Sequence, residues 1–261
     1  MVYITKRDEC TNFTRVCIME VSQFPQRRTK NLLINAGFRV NAREYVTATA
    51  TVAADEYTLD RWRVLVSGES VTFAALDAVN EITCPAGGLG QKIEDLNIRG
   101  GAYTISWEGT ATCKVNGVSR ANGESFTLPE DTLADVVFYS GTLVFVQLEE
   151  GSIRTDNEFR HISEEKTMCA RYYQQYSKGT TTHTIGGAIS SQKIREAFTF
   201  ASEMRVAPAV SFSAVQDGAG ADITSDTTFS AITSTNLTQV GATARTTART
   251  TAKDFSLDAE L

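Results

Sequence analysis

The chain has 261 residues, 42% of them hydrophobic and 21% charged, with a formal net charge of -6 at pH 7. That balance describes a folded chain, long enough for one large domain or two modest ones. The negative charge argues against a broad nucleic-acid-binding surface, and no apolar run of roughly 18 residues is present to span a bilayer.

Residues 1–30 read as an attachment arm. Val2–Ile4 and Phe13–Val21 have the composition of short strands, and Pro25 followed by Arg27, Arg28 and Lys30 reads as a linker. The first 20 residues mix Lys6, Arg7, Asp8 and Glu9 into their apolar positions. They lack the apolar centre of a secretory signal, so the expectation is a chain made and assembled in the cytoplasm. An arm this short has no core of its own and is expected to dock on something else.

The stretch from Asn31 to Ser67 opens a long β-rich region. Trp62, Val64 and Val66 share one parity and Arg61 and Arg63 the other, which predicts a strand with one wet face. Tyr103, Ile105 and Trp107 then share a face, with Thr104, Ser106 and Glu108 on the other. Asn116-Gly117 between two β-branched runs predicts a tight hairpin. Thr142–Leu148 is a nearly unbroken apolar run suited to a strand covered on both faces. With no long helical period interrupting these runs, residues 31–155 read as a β-sandwich with hairpin and Greek-key connections.

A helix is predicted over Ser163–Tyr176, capped by Ser163, with Glu164 and Glu165 at its positive end. Met168, Tyr172, Tyr173 and Tyr176 gather on one side at helical spacing. This is the linking helix of a segment spanning 156–180. Residues 181–261 return to Thr-rich β patterning with few large apolar side chains. Such a small C-terminal β domain is expected to bury surface against copies of itself.

The five cysteines show no CxxC spacing, so no zinc site is indicated. Cys10 and Cys17, in the arm, are candidates for an intermolecular disulfide. No phosphate loop, nucleophile elbow or metal-helix motif appears, and no cofactor is implied. Asp131/Asp135 and Glu149/Glu150 are the close carboxylate pairs weighed for glycoside cleavage, and acidic chains supply such pairs freely. The chain therefore reads as a binding or structural protein rather than an enzyme. Both tryptophans fall on core parity. Tyr139, beside Ser140-Gly141, and Tyr176, beside Ser177-Lys178-Gly179, remain as aromatic candidates for glycan contact. Arg245, Arg249 and Lys253 recur every four residues and share one side, a candidate anion-binding ladder set against the plain reading of a solvated outer face.

Several segments together resemble a known family. Asn31-Leu32-Leu33-Ile34-Asn35 with Phe38, then Tyr57–Trp62, looks like the opening of jelly-roll modules in phage tail-fibre and receptor-binding proteins. Val146–Ser152 and Cys169–Gln174 resemble the end of that module and the helix after it. Met204–Val210 and Asp258–Leu261 look like the family's C-terminal β module. Gly100–Leu128 is shorter than in longer relatives, and the arm has no counterpart in them.

The resemblance implies a mainly β virion protein of a bacteriophage, with a docking arm, a jelly-roll sandwich, a linking helix and a small C-terminal β-sandwich domain. It implies a homotrimer that attaches to other virion proteins through the arm and contacts host-surface polysaccharide or lipopolysaccharide. A collar, baseplate or capsid decoration protein is the alternative role, and a glycan depolymerase the third.

Overall fold

A computed structural model of the chain describes residues 30–74, 76, 80–176, 195–212, 215–216, 228–230, 232–240, 251–252 and 255–261. The fold is mainly β. Eleven strands precede the helix: β1 (Glu56–Tyr57), β2 (Arg63–Val64), β3 (Thr72–Phe73), β4 (Ile82–Thr83), β5 (Leu89–Ile93), β6 (Arg99–Gly109), β7 (Thr112–Val115), β8 (Val118–Arg120), β9 (Ser125–Glu130), β10 (Ala134–Tyr139) and β11 (Thr142–Glu150). They form two antiparallel sheets, one ordered β1-β2-β5-β10-β7-β8 and the other β3-β4-β11-β6-β9. Only β1–β2, β3–β4 and β7–β8 are sequential neighbours in one sheet; every other connection carries the chain from one sheet to the other.

The inward residues of both sheets belong to one apolar cluster. Val64, Leu89, Val136 and Phe138 come from the six-stranded sheet, and Ile105, Trp107, Leu143 and Val146 from the five-stranded one. A chain of rings joins them. Phe38 lies 5.1 Å from Trp62, Trp62 lies 6.3 Å from Phe138, and Phe138 meets Trp107 nearly edge-on at 5.6 Å. The expected core parity of Tyr103, Ile105 and Trp107 is met, since all three are buried. The Asn116-Gly117 hairpin also forms, with φ of 49° and 78° at its two turn residues, a backbone region that asparagine and glycine enter most readily.

The segment 31–40 forms no strand. It lies between the sheets as a polar knot. Asn31 donates from Nδ2 to the Val146 carbonyl at 2.8 Å, and its Oδ1 accepts from the N–H groups of Leu33 and Leu148. Asn35 sits at a φ of 55° and its side chain closes the turn through Arg39, Val40 and Asp60. Arg160 donates to the carbonyls of Asn31 and Leu33 and to Glu165, whose carboxylate accepts from the Asn35 N–H at 2.6 Å. Buried backbone groups in this irregular segment thus find side-chain partners in place of a ladder.

Two expectations are corrected. Arg61 and Arg63 do not face water: they are 1% and 4% exposed, whereas Val66, on the supposed core parity, is 45% exposed. The extended run is interrupted at Arg61, whose φ is 72°, so alternation does not carry through. Both guanidiniums are covered by carboxylates, Glu260 for Arg61 and, on the outer face of the sheet, Asp55 with Asp135 for Arg63. The helix is also shorter than its period suggests. α1 spans Ile162–Ala170, and its N-cap is His161, whose ring nitrogen accepts from the Ser163 N–H. Tyr173–Tyr176 leave it to become a strand, β12. Strand pairing with residues 255–258, far along the chain, outweighs the local helical period.

After β12 come β13 (Arg195–Thr199), β14 (Ala209–Phe212), β15 (Val215–Gln216), β16 (Thr228–Ser230), β17 (Asn236–Val240), β18 (Thr251–Ala252) and β19 (Phe255–Asp258). β19 is the middle strand between β12 and β14. Its last residue and those after it are gripped by three arginines. Arg61 pairs with Glu260, Arg43 with Asp258 (2.9 Å) and Glu260 (3.3 Å), and Arg205 donates to the Ala259 and Glu260 carbonyls at 2.9 Å each. Arg61 stacks 3.5 Å above the Tyr172 ring and Arg43 3.9 Å above Tyr173. Burial pushes the Glu260 carboxyl up, against the pull of Arg61 and Arg43.

Arg61→Ala leaves Glu260 buried without its closest cation and is expected to lower unfolding stability by about 3–5 kcal/mol in urea titration; a loss below about 1 kcal/mol contradicts the pairing. Glu94 gives a pH signature. Burial opposes its ionisation, but hydrogen bonds from Arg171 and from the Tyr172 hydroxyl (2.5 Å) prevail and hold it below the ordinary 4.5. Its contribution is therefore complete above that ordinary value and is lost as pH falls through the lowered one. Glu94→Gln is expected to flatten the acid limb of the stability–pH curve, and an acid limb parallel to the wild type counts against it.

Candidate functional site

β10 alternates between the core and an outer face. Ala134, Val136 and Phe138 point in, so Asp135, Val137 and Tyr139 point out. Registers with β5 and β7 place Lys92 beside Asp135, Gly90 and Lys114 on either side of Val137, and Thr112 beside Tyr139. Arg63 of β2 lies opposite Gly90. The outer face of the six-stranded sheet therefore gathers an aromatic ring, three cations and one carboxylate from four strands.

Glycines shape the floor of this face. A Cβ on Gly88 would stand 2.8 Å from Val137 Cγ1 and 3.0 Å from Tyr139 Cε1, and its φ is +115°. Only glycine lets the Tyr139 ring lie this low. The ring is half-buried, and Lys114 Nζ stands 5.1 Å from its centroid. Burial, with Asp135 next, raises the Tyr139 hydroxyl above its ordinary value, so it stays protonated near neutral pH and both donates and accepts. Arg63 holds both oxygens of Asp135 at 2.8 Å from Nη2 and pairs with Asp55 through Nη1. That carboxylate is oriented, with about a third of its side-chain surface left to solvent.

The other sequence candidates lie elsewhere. Tyr176 ends β12, where it packs on the Phe200–Met204–Leu257 cluster and donates to Gln174 Oε1 at 2.6 Å. It is in a different sheet from Tyr139, and the two do not share a face. Arg245, Arg249, Lys253, Cys10 and Cys17 lie outside the described residues. The described thiols, Cys84, Cys113 and Cys169, are buried and free, and burial pushes the first two up to about 12. They are packing residues rather than nucleophiles. The carboxylate pairs are not assembled for acid–base work. Asp135 is engaged by Arg63 while Asp131 sits in a positive-φ turn. Glu149 is buried against Thr155 and Gln147, while its neighbour Glu150 faces solvent.

Arg63, Lys114 and Gly88 escape sequence reasoning as site residues. Parity along β10 links Asp135 to Tyr139, but Arg63 and Asp135 are 72 positions apart and only sheet order unites them. Among the described residues no cluster of His, Cys, Asp and Glu is arranged to hold a metal ion, and no helix is long and apolar enough to cross a membrane. Comparison with protein-family models, curated proteins and solved structures finds no match.

Gly88→Ala forces a strained backbone and displaces Tyr139. It is expected to cost about 1–3 kcal/mol in chemical denaturation, and an unchanged midpoint would mean that the ring is not held by this contact.

Proposed function

We propose that the chain is a bacteriophage virion protein, a tail fibre or receptor-binding protein, that contacts host-surface glycan through the outer face of the six-stranded sheet. The observation that carries this reading is the Tyr139 face. A low aromatic ring flanked by Lys114 and by the Arg63–Asp135 pair offers a pyranose one apolar surface and several polar edges. Arg63 is covered and neutralised by Asp135 and Asp55, which leaves Lys92 and Lys114 as the face's unmatched cations among the described residues, a balance that suits an acidic polysaccharide or the phosphorylated core of lipopolysaccharide.

Architecture supports the reading at a coarser level. Two antiparallel sheets sharing one core, with the chain passing repeatedly from one to the other, accord with a jelly-roll sandwich. Its resemblance to phage fibre modules adds the expectation of a homotrimer anchored by residues 1–30, in which weak single contacts are multiplied by valency. The collected groups bind and orient, and none is poised for bond cleavage.

The test uses the purified full chain against immobilised bacterial polysaccharides and lipopolysaccharides, with sedimentation analysis alongside. Retention on at least one surface glycan is expected, and Tyr139→Ala or Lys114→Ala weakens it about tenfold, the scale of one lost stacking or cation contact. Absence of binding to every bacterial glycan, or full retention by Tyr139→Ala, overturns the assignment of this face.

A further inference from the structure

The outer face of the five-stranded sheet carries a second aromatic constellation. Leu143 of β11 lies opposite Gly109 of β6, and Val146 lies opposite Trp107. Val144 and Phe145 therefore stand together against the single residue Glu108, which is a β-bulge. Bulges re-aim side chains and recur next to binding sites. Leu143 and Val146 are buried in the core, whereas Val144 and Phe145 are half-buried outside it.

Phe145 meets Phe159 edge to face, with centroids 6.5 Å apart at 65°. Phe159 is 60% exposed, the largest ring so exposed among the described residues. The Arg39 guanidinium carbon lies 4.2 Å from the Phe159 centroid, and Nη2 donates to the Arg160 carbonyl at 2.6 Å, so the fork is held in place. Glu108, across from the bulge, is exposed and accepts from Asn157 Nδ2 at 2.5 Å. The Asn157 amide oxygen is itself buried, so the residue serves to hold Glu108 in place.

An exposed aromatic ring loses the benefit of burial, and this one is braced on two sides rather than left to swing. A guanidinium donor lies over it, and an exposed carboxylate acceptor, Glu108, is held by Asn157, two residues before Phe159 in the chain. One positive charge balances one negative charge. A phosphate or uronate gains nothing net from that balance. A hexopyranose fits it: the C–H face lies on the ring, one hydroxyl accepts from Arg39 and another donates to Glu108. We propose that Phe159, Phe145, Arg39 and Glu108, the last positioned by Asn157, form a subsite for one uncharged hexopyranose unit of a glycan. The proposal deepens the glycan-contact reading, on which it rests, by adding a neutral-sugar subsite on a different sheet from the acidic-glycan face at Tyr139.

The experiment titrates the full chain with dextran, mannan and galactan, and with an acidic polysaccharide, by saturation-transfer NMR and calorimetry. At least one neutral glycan binds the wild type. Phe159→Ala weakens that binding at least tenfold, Phe159→Trp retains it within about threefold, and Glu108→Gln weakens it about fivefold. Tyr139→Ala leaves it within about twofold, and thermal melts of all four variants show that each is folded. Neutral-glycan binding that is unchanged in Phe159→Ala overturns the subsite. So does a wild type that takes only the acidic polysaccharide in a Tyr139-dependent way, a result that leaves the host-contact reading intact. A wild type that binds neither class overturns both. Loss of self-association in Phe159→Ala, with no neutral glycan bound by the wild type, overturns the subsite in favour of an interface between copies.

Discussion

The buried charge pair between Arg61 and Glu260 is the constraint on which the rest of the arrangement depends. Their side chains are 1% and 5% exposed, and 199 positions of sequence separate them. Taking both charges out of water is expensive, and an apolar pair of similar volume often serves stability as well or better. What the pair supplies is direction. Arg61 meets Glu260 where residues 258–261 are laid against the first two sheets, with Tyr172 beneath the guanidinium and the Lys92 carbonyl at 2.6 Å from Nη2. An alternative docking leaves the arginine buried and unpaired, which costs far more than the correct one.

That placement has consequences beyond the pair itself. β19, just before Glu260, supplies both neighbours of its sheet with hydrogen-bond partners, β12 on one side and β14 on the other. Seating residues 258–261 therefore positions the strand around which this small sheet is built. The same strand draws Tyr173–Tyr176 out of helical conformation, and so sets where α1 ends. A second polar hub, Arg160 with Glu165, ties α1 and the loop before it to Asn31 and Asn35. Charged groups, rather than an apolar seam alone, join these later elements to the first two sheets. The apolar contact there is small: Ile34, Val40, Cys169 and Tyr172 are buried, with Ile162, Met168 and Leu261 packed against them.

Both proposed binding faces draw on irregularities within or beside otherwise regular strands. At Tyr139 the irregularity is a glycine with φ of +115°, which lets a ring settle against the sheet. At Phe145 it is an extra residue in β11, which turns a side chain out of the core to meet a ring from the loop between β11 and α1. A sheet with perfect alternation presents a flat outer face; a missing Cβ or an inserted residue makes relief there without disturbing the core behind it.

Alternation of apolar residues over β6, the Asn116-Gly117 turn and the mainly β character are written into short stretches, because each depends on residues within a few positions of one another. The same locality explains the failures. Arg61 and Arg63 read as solvent-facing because a pattern of polarity cannot say whether a charge will find a partner, and Glu260 and Asp135 come from distant parts of the chain. Tyr173 and Tyr176 read as helical because their strand partner lies about 80 residues further on, beyond any local period. Sequence by itself determined the mainly β character, the Asn116-Gly117 turn and the inward rings of β6. Tertiary structure alone decided which charges are buried, where the helix stops and which outward residues stand together, since those depend on the order of strands across a sheet, and long-range pairing sets that order.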